Sequence, residues 1–210
     1  MAQMLYQGHG SYRFVLDDKT VVYVDPFVGD GYDLPADLIL VTHEHFDHNQ
    51  VKKMPHARGC TIIRARDAHP APGEYLSMDS HGVHITAVQA YNKNHPVNEC
   101  VGFVLEFDGV RFYASGDTST TDDMTSGKLK ALSIDYAAFP GDGVYNMDVK
   151  EASSCAALVG ARHSIPVHLV PMNNPEDPSQ LFSRKRAKAF KADGRIILDA
   201  GETLDLKPRG

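Results

Sequence analysis

The segment Thr42-His43-Glu44-His45-Phe46-Asp47-His48 follows directly on the apolar run Leu38-Ile39-Leu40-Val41. Four apolar residues in succession read as a buried strand. The chain must then leave the core through a segment that carries three histidines and one aspartate within six residues. Near-extended backbone puts His43 and His45 on one side, because side chains alternate along a strand. Asp47 and His48 follow where the chain turns and can aim at a neighbouring point. Imidazole and carboxylate suit zinc, and also iron or manganese. A metal-binding loop at the end of a core strand is the expectation.

The rest of the chain supplies a scaffold for that loop. Its 210 residues are 42% hydrophobic and 23% charged, enough for a real core, and predict a single domain over 1–210. Further strands are expected at Ser11 to Leu16, Val21 to Val24, Thr61 to Arg64 and Gly82 to Ala90. Val101 to Phe107 and Val110 to Ala114 flank Asp108-Gly109, which predicts a hairpin. Asp148 and Glu151 have capping-box spacing. Ala152, Cys155, Ala156 and Val159 then share one helix face, and Gly160 ends the helix. Ser164 to Val167 reads as a strand that Pro166 confines to an edge or a strand end. Asp177-Pro178 predicts a helix running to about Phe190, and Arg195 to Leu198 and Thr203 to Leu206 are expected to be closing strands. No internal repeat is visible.

Charge and cysteines exclude some classes. The formal charge of −6 argues against general nucleic-acid binding and docking on an anionic membrane. Cys60, Cys100 and Cys155 are odd in number and far apart. They predict neither a disulfide framework nor a cysteine zinc site, and suit a reducing cytosol. Residues 1–8 lack a basic, apolar leader, and no apolar run approaches a membrane span. A cytoplasmic protein is expected.

His-x-His-x-Asp-His after an apolar strand resembles the signature of the metallo-β-lactamase superfamily. Further landmarks occur in the family's order. His95 lies in a loop after a later strand, Ser115-Gly116-Asp117-Thr118 follows a hairpin strand, and His168 ends Ile165-Pro166-Val167-His168. Gly8-His9-Gly10-Ser11, Asp25-Pro26, Gly102-Phe103 and Tyr145-Asn146-Met147-Asp148 resemble the UlaG-like group, which includes ascorbate-6-phosphate lactonase. The resemblance implies an α+β, αββα sandwich of two mainly antiparallel or mixed sheets flanked by helices. It also implies two divalent ions, zinc first and manganese or iron as alternatives. One would be held by His43, His45 and His95, the other by Asp47, His48 and His168, with Asp117 bridging them. A shared hydroxide would attack an ester, lactone or phosphodiester of a small molecule, and Asp47 and Asp117 would serve catalysis directly. In flavodiiron oxidoreductases of this fold a glutamate usually replaces the second histidine. Here that position is His45, and Glu44 should point away, so a hydrolase is expected.

Other residues carry weaker expectations. His9 is expected near the active-site rim and, with Asp47 and Asp117, as a catalytic residue. Asp25 can orient a ligand imidazole. His81 and His84 are rivals to His95, and His56, His69, His81 and His163 read as surface or cap residues. Arg184, Lys185, Arg186, Lys188 and Lys191 form a basic cluster, which reads first as a solvated face and second as an anion site. Asp142, Asn146 and Lys93, or Asn173 and Asn174, are candidates to line the pocket, while Tyr6, Tyr145 and Phe139 read as core. The expected partner is a small molecule, with an anionic or phosphorylated one allowed for and homo-oligomers open. Alternatives are a ribonuclease or phosphodiesterase acting on nucleic acid, and a non-catalytic metal-binding protein.

Overall fold

The computed structural model describes residues 1–171 and 182–209. Its strands are β1 (Gln3–Gly8), β2 (Ser11–Val15), β3 (Val21–Val24), β4 (Ala36–Val41), β5 (His56–Arg64), β6 (Ser77–Ser80), β7 (Val83–Gln89), β8 (Val101–Phe107), β9 (Val110–Ala114), β10 (Tyr136–Pro140), β11 (His163–Val167) and β12 (Thr203–Asp205). Helices α1 (Ala65–Ala68), α2 (Asp122–Thr125), α3 (Lys128–Ala131), α4 (Val149–Val159) and α5 (Arg184–Ala189) lie between them.

The strands form two six-stranded sheets, ordered β12-β1-β2-β3-β4-β5 and β11-β10-β9-β8-β7-β6. In the first, β12, β1, β2 and β3 pair antiparallel, and β4 and β5 continue in parallel. In the second, β6 to β9 pair antiparallel, and β10 and β11 continue in parallel. The two sheets thus share one pairing pattern, although no repeat shows in the residues. The mixed sheets and flanking helices are the αββα sandwich that the family resemblance implies.

Period-two alternation explains how the sheets pack. Met4, Tyr6, Phe14, Val22, Leu38 and Leu40 of the first sheet meet Ile85, Phe103, Leu105, Phe112 and Ile165 of the second in the main core. The alternate residues Tyr23, Ile39 and Val41 pack on the outside with Met54. On the other outer face, Tyr113 and Phe139 meet Ala152, Cys155, Ala156 and Val159 of α4. The apolar run ending at Val41 is therefore buried on both faces, as its lack of alternation implies.

Several local expectations need correction. The Asp148 side chain caps α4 by accepting from Lys150 N and Glu151 N, but Glu151 does not reach back. Its carboxylate instead accepts from Thr120 N and Oγ1 at 3.0 and 2.9 Å. Arg195 to Leu198 is not a strand. It makes one isolated bridge, Ser164 with Arg195, because β11 is already an edge strand carrying Pro166. The helix α5 begins at Arg184, where the Ser183 side chain accepts from Arg186 N. The predicted opening at Asp177-Pro178, and Asn173 and Asn174, lie outside the described residues. Strands β1, β6 and β10 have no counterpart in the sequence reading.

The strand ends position the candidate site. His9, Asp25, the His43–His48 loop, Asp117, Asp142 and His168 lie just beyond the C-terminal ends of β1, β3, β4, β9, β10 and β11. His95 lies in the loop after β7. Strand ends in α/β sheets are where ligands gather.

Candidate metal centre

Sharp turns at the strand ends bring these side chains together. Among the described residues seven non-glycine residues have positive φ, and three of them, His9, Asp25 and His168, belong to the cluster. Such conformations cost free energy and persist where the surroundings impose them. Two glycines give the necessary clearance. A Cβ on Gly10 would lie 2.8 Å from His48 Cε1. Gly116 has φ +62°, and its Cβ would lie 2.9 Å from Thr42 Cβ.

Two groups of potential ligands result, linked by a third, Asp25, His43 and His48, that overlaps both. The ligand atoms of His43, His45 and His95 lie within 4.8 Å of one another, as do those of His9, Asp47, His48 and His168. Asp117 stands between the groups. Its Oδ1 is 3.5 Å from His48 Nε2, and its Oδ2 is 3.3 Å from His95 Nε2 and 3.4 Å from His168 Nε2. His45 is exposed, whereas His43, His48, His95, Asp117 and His168 are buried.

The outward nitrogens are held. His43 Nδ1 is 3.0 Å from Thr42 Oγ1, His48 Nδ1 is 2.9 Å from Asp25 Oδ2, and His95 Nδ1 is 2.9 Å from Asn92 Oδ1. His168 Nδ1 is 3.2 Å from Asp142 Oδ2. Asp25 also accepts from Thr42 N and Oγ1, both at 2.7 Å. The Nε2 atoms of His43, His48, His95 and His168 are buried and, among the described residues, have no hydrogen-bond partner. Three buried imidazoles bonded at Nδ1 and free at Nε2, with His168 free at Nε2 and its Nδ1 in ion-pair reach of Asp142, fit the ligand set of a divalent metal.

Electrostatics separates the groups. Burial opposes charge on His48, but Asp117 and Asp25 hold its pKa well above the ordinary imidazole value. Burial also opposes charge on His168, and Asp117 and Asp142 raise it. Asp117 itself is held well below the carboxylate range by His168 and His48, against burial. His43 is pushed well down by burial, reinforced by His48, and His45 is lowered by burial and His95.

His9 sits deeper than the sequence reading places it. It is fully buried, with its ring centroid 3.5 Å from that of His168. Its pKa falls to about 4, through burial and then His168. The neutral ring meets Asp47 Oδ2 at 3.0 Å through Nε2, which assigns the proton to that nitrogen. Burial alone would raise Asp47, but the His9 hydrogen bond and His48 hold it far below its usual range.

The remaining histidines stand apart from the cluster. His81 Nε2 is 3.2 Å from Thr61 Oγ1, and His84 Nδ1 is 2.8 Å from Asp79 Oδ1. His69 is the C-cap of α1, as the cap reading allows, rather than a surface residue. It is buried, stacked on Tyr75 with centroids 4.3 Å apart, and its Nδ1 is 2.7 Å from Glu74 O. Glu44 points away, paired with Arg64 at 2.8 Å.

A cavity of about 310 Å³ opens onto His45, Asp47, His95, Asp117 and His168. Tyr6 and Phe139 are core residues, but Tyr145 is 43% exposed and lines this cavity. Thr42 and Asn92, which orient His43 and His95, were not singled out from the sequence. An asparagine three residues before a histidine in a tight turn is the only sequence signal for Asn92. Asp142 lies behind His168 rather than on the cavity wall, and Asn146 Nδ2 donates to its Oδ2 at 2.9 Å. Lys93 lines a separate cavity. In the basic cluster, Arg184 pairs with Asp199, while Arg186 donates to the carbonyls of Asp142 and Leu169.

The family model described as the beta-lactamase superfamily domain matches residues 3–168. A UPF0173 metal-dependent hydrolase from Methanoregula boonei is 32% identical, with 98% of each chain covered. A crystal structure of a candidate metal-dependent hydrolase from Parabacteroides distasonis is 29% identical at a TM-score of 0.69, covering 93% of this chain and 90% of that one. The diiron β-hydroxylase CmlA from Streptomyces venezuelae also aligns at a TM-score of 0.69, with 13% identity, 98% of this chain and 54% of that one. That last likeness is one of fold alone.

Proposed function

The chain belongs to the beta-lactamase superfamily domain family, and on that premise we propose that it is a small-molecule hydrolase working through two divalent metal ions. Four buried, unpartnered Nε2 atoms arranged around Asp117 carry this reading. Related chains described as metal-dependent hydrolases support it. His43, His45 and His95 would hold one ion. Asp47, His48 and His168 would hold the other, and Asp117 would serve both. Zinc is the first choice, with manganese or iron as alternatives. When bound, such ions supply Lewis acidity toward a carbonyl or phosphoryl oxygen and a water acidic enough to ionise near neutral pH.

The protein's own residues then have distinct tasks. Thr42, Asp25, Asn92 and Asp142 fix the imidazole orientations. His9 donates to Asp47 and holds one carboxylate oxygen in place. Asp47 borders the cavity in its ionised form and can hold an ion and orient an attacking water; held so far below its usual range, it is a weak base. Asp117 places negative charge between the two groups, where it offsets the repulsion of two cations.

The substrate class we favour is an ester or lactone, in keeping with the UlaG-like resemblance. We take the whole chain as one domain acting in the cytoplasm. Among the described residues, no helix is long and apolar enough to cross a membrane.

The test removes metal with a chelator, measures metal content, and assays lactones, thioesters and bis-(p-nitrophenyl) phosphate before and after zinc or manganese is restored. Activity should vanish and return with metal. Undiminished hydrolysis by the stripped protein would refute the proposal. Two tightly held ions with no turnover would favour a binding protein, and cleavage of structured RNA would favour a nuclease.

A further inference from the structure

Three cavity-lining side chains are not candidate ligands: Phe46, Asn94 and Tyr145. Two are aromatic and the third is an uncharged amide. Asn94 Nδ2 is already committed, donating to Tyr145 O at 2.8 Å. No lysine or arginine lines this cavity among the described residues. Lys93 borders a separate cavity of about 550 Å³ that Tyr145 also lines, together with Asp148 and Glu151. Arg66 lines an adjoining cavity of about 330 Å³ that also reaches His43 and His45, but within the cavity shared by Asp47, Asp117 and His168 a phosphorylated or carboxylated substrate would meet no cationic side chain.

The exposed apolar residues tell the same story. Among the described residues five large hydrophobic side chains are exposed: Met1, Phe46, Val97, Val144 and Tyr145. Met1 is terminal. The other four lie on the three loops that carry His45 and Asp47, His95, and Asp142. The loops touch one another, since the His45 and His95 rings are 4.7 Å apart and Asn94 bonds to Tyr145. Clustered exposure of this kind marks a binding surface, unlike scattered single residues.

The Phe46 ring and the Tyr145 backbone are held in place. Phe46 packs edge-on against Phe27 at 5.6 Å. Tyr145 N donates to Asp142 Oδ1 at 2.7 Å, and the same aspartate contacts His168 Nδ1. One carboxylate thus fixes both a candidate ligand and the loop that presents Tyr145. A pre-set contact surface loses little freedom when a ligand arrives.

We propose that Phe46 and Tyr145 form an apolar clamp that selects uncharged substrates, namely neutral esters or lactones bearing a short alkyl or aryl group. This rests on the hydrolase reading above and narrows it.

The test compares kcat/KM for γ-lactones carrying hydrogen, propyl, phenyl or carboxylate substituents, using the metal-loaded protein. Efficiency should rise by up to about fourfold for each buried methylene and fall for the carboxylate. Tyr145→Ala and Phe46→Ala should flatten the series, whereas Tyr145→Phe should keep it. A second arm needs no turnover: saturation-transfer NMR of N-methylbenzamide on the zinc-loaded protein. Transfer to the aryl protons should occur in the wild type and weaken in both alanine variants, with little transfer to N-methylacetamide. Hydrolysis of the lactones at rates indifferent to substituent would overturn the clamp and leave the hydrolase standing. No lactone hydrolysis would count against the hydrolase reading, and the NMR arm would still decide the clamp. Aryl transfer unchanged in both variants, or absent from the wild type, would overturn it.

Discussion

The two ligand groups are built from similar imidazoles but have different supports. Around His43, His45 and His95 the outer contacts are a threonine hydroxyl and an asparagine amide, and His45 is exposed. Around His48 and His168 they are the carboxylates of Asp25 and Asp142, both buried. A carboxylate behind an imidazole raises its basicity and fixes its tautomer more firmly than a neutral oxygen does. The chain therefore provides one neutral, partly open group and one buried, electron-rich group. The second should hold a cation more tightly.

The largest expected effect comes from the residue common to both groups. Asp117→Ala should abolish turnover and lower metal content toward zero, read by elemental analysis, with circular dichroism checking the fold. An active, metal-replete Asp117→Ala protein would remove the shared site and the comparison with it. Next come the supports. Asp25→Asn and Asp142→Asn should each weaken metal binding by about 10–100-fold, while Asn92→Ala should cost about tenfold or less. Calorimetric titration with zinc distinguishes these. The same titration should show proton release, because a dication must displace the protons that Asp117, Asp25 and Asp142 favour on His48 and His168. Affinity at that group should fall as pH is lowered through the raised imidazole pKa values. Equal losses in all three variants would make the two groups equivalent. The smallest effect is expected for Glu44→Gln. Glu44 is bound by Arg64 and Asn49 and faces away from its histidine neighbours. Zinc affinity should change less than about twofold, since exposed pairs contribute little. A large loss would mean that the first group also has a carboxylate behind it.

Sequence patterns revealed the centre unevenly. His43, His45, Asp47 and His48 were legible because their spacing is compressed into one loop after an unmistakable strand. Asp117 and His168 emerged only through the family resemblance, as its landmarks at later strand ends. His95 had two rivals, and only the tertiary structure separated it from His81 and His84, which face other partners. The supports were harder to see. Thr42 and Asn92 are ordinary loop residues, and Asp142 follows β10, whose Ala137-Ala138 lacks a strong strand signature. Tyr145 looks like a core aromatic in one dimension because nothing local says that its loop ends at an open cavity.

The sequence alone determined the alternation that buries two sheet faces, the all-apolar β4, the hairpin at Asp108-Gly109, the edge position of Pro166 and the clustered donor loop. These follow from local periodicity, turn chemistry and proline's missing N–H. Only the tertiary structure decided which residues meet across the sandwich. Two sheets of matching pairing pattern bring seven separate strand ends to one place, and no local rule encodes that convergence. It buries His9 beside Asp47, sets carboxylates behind one group and neutral oxygens behind the other, and leaves Phe46 and Tyr145 at the mouth.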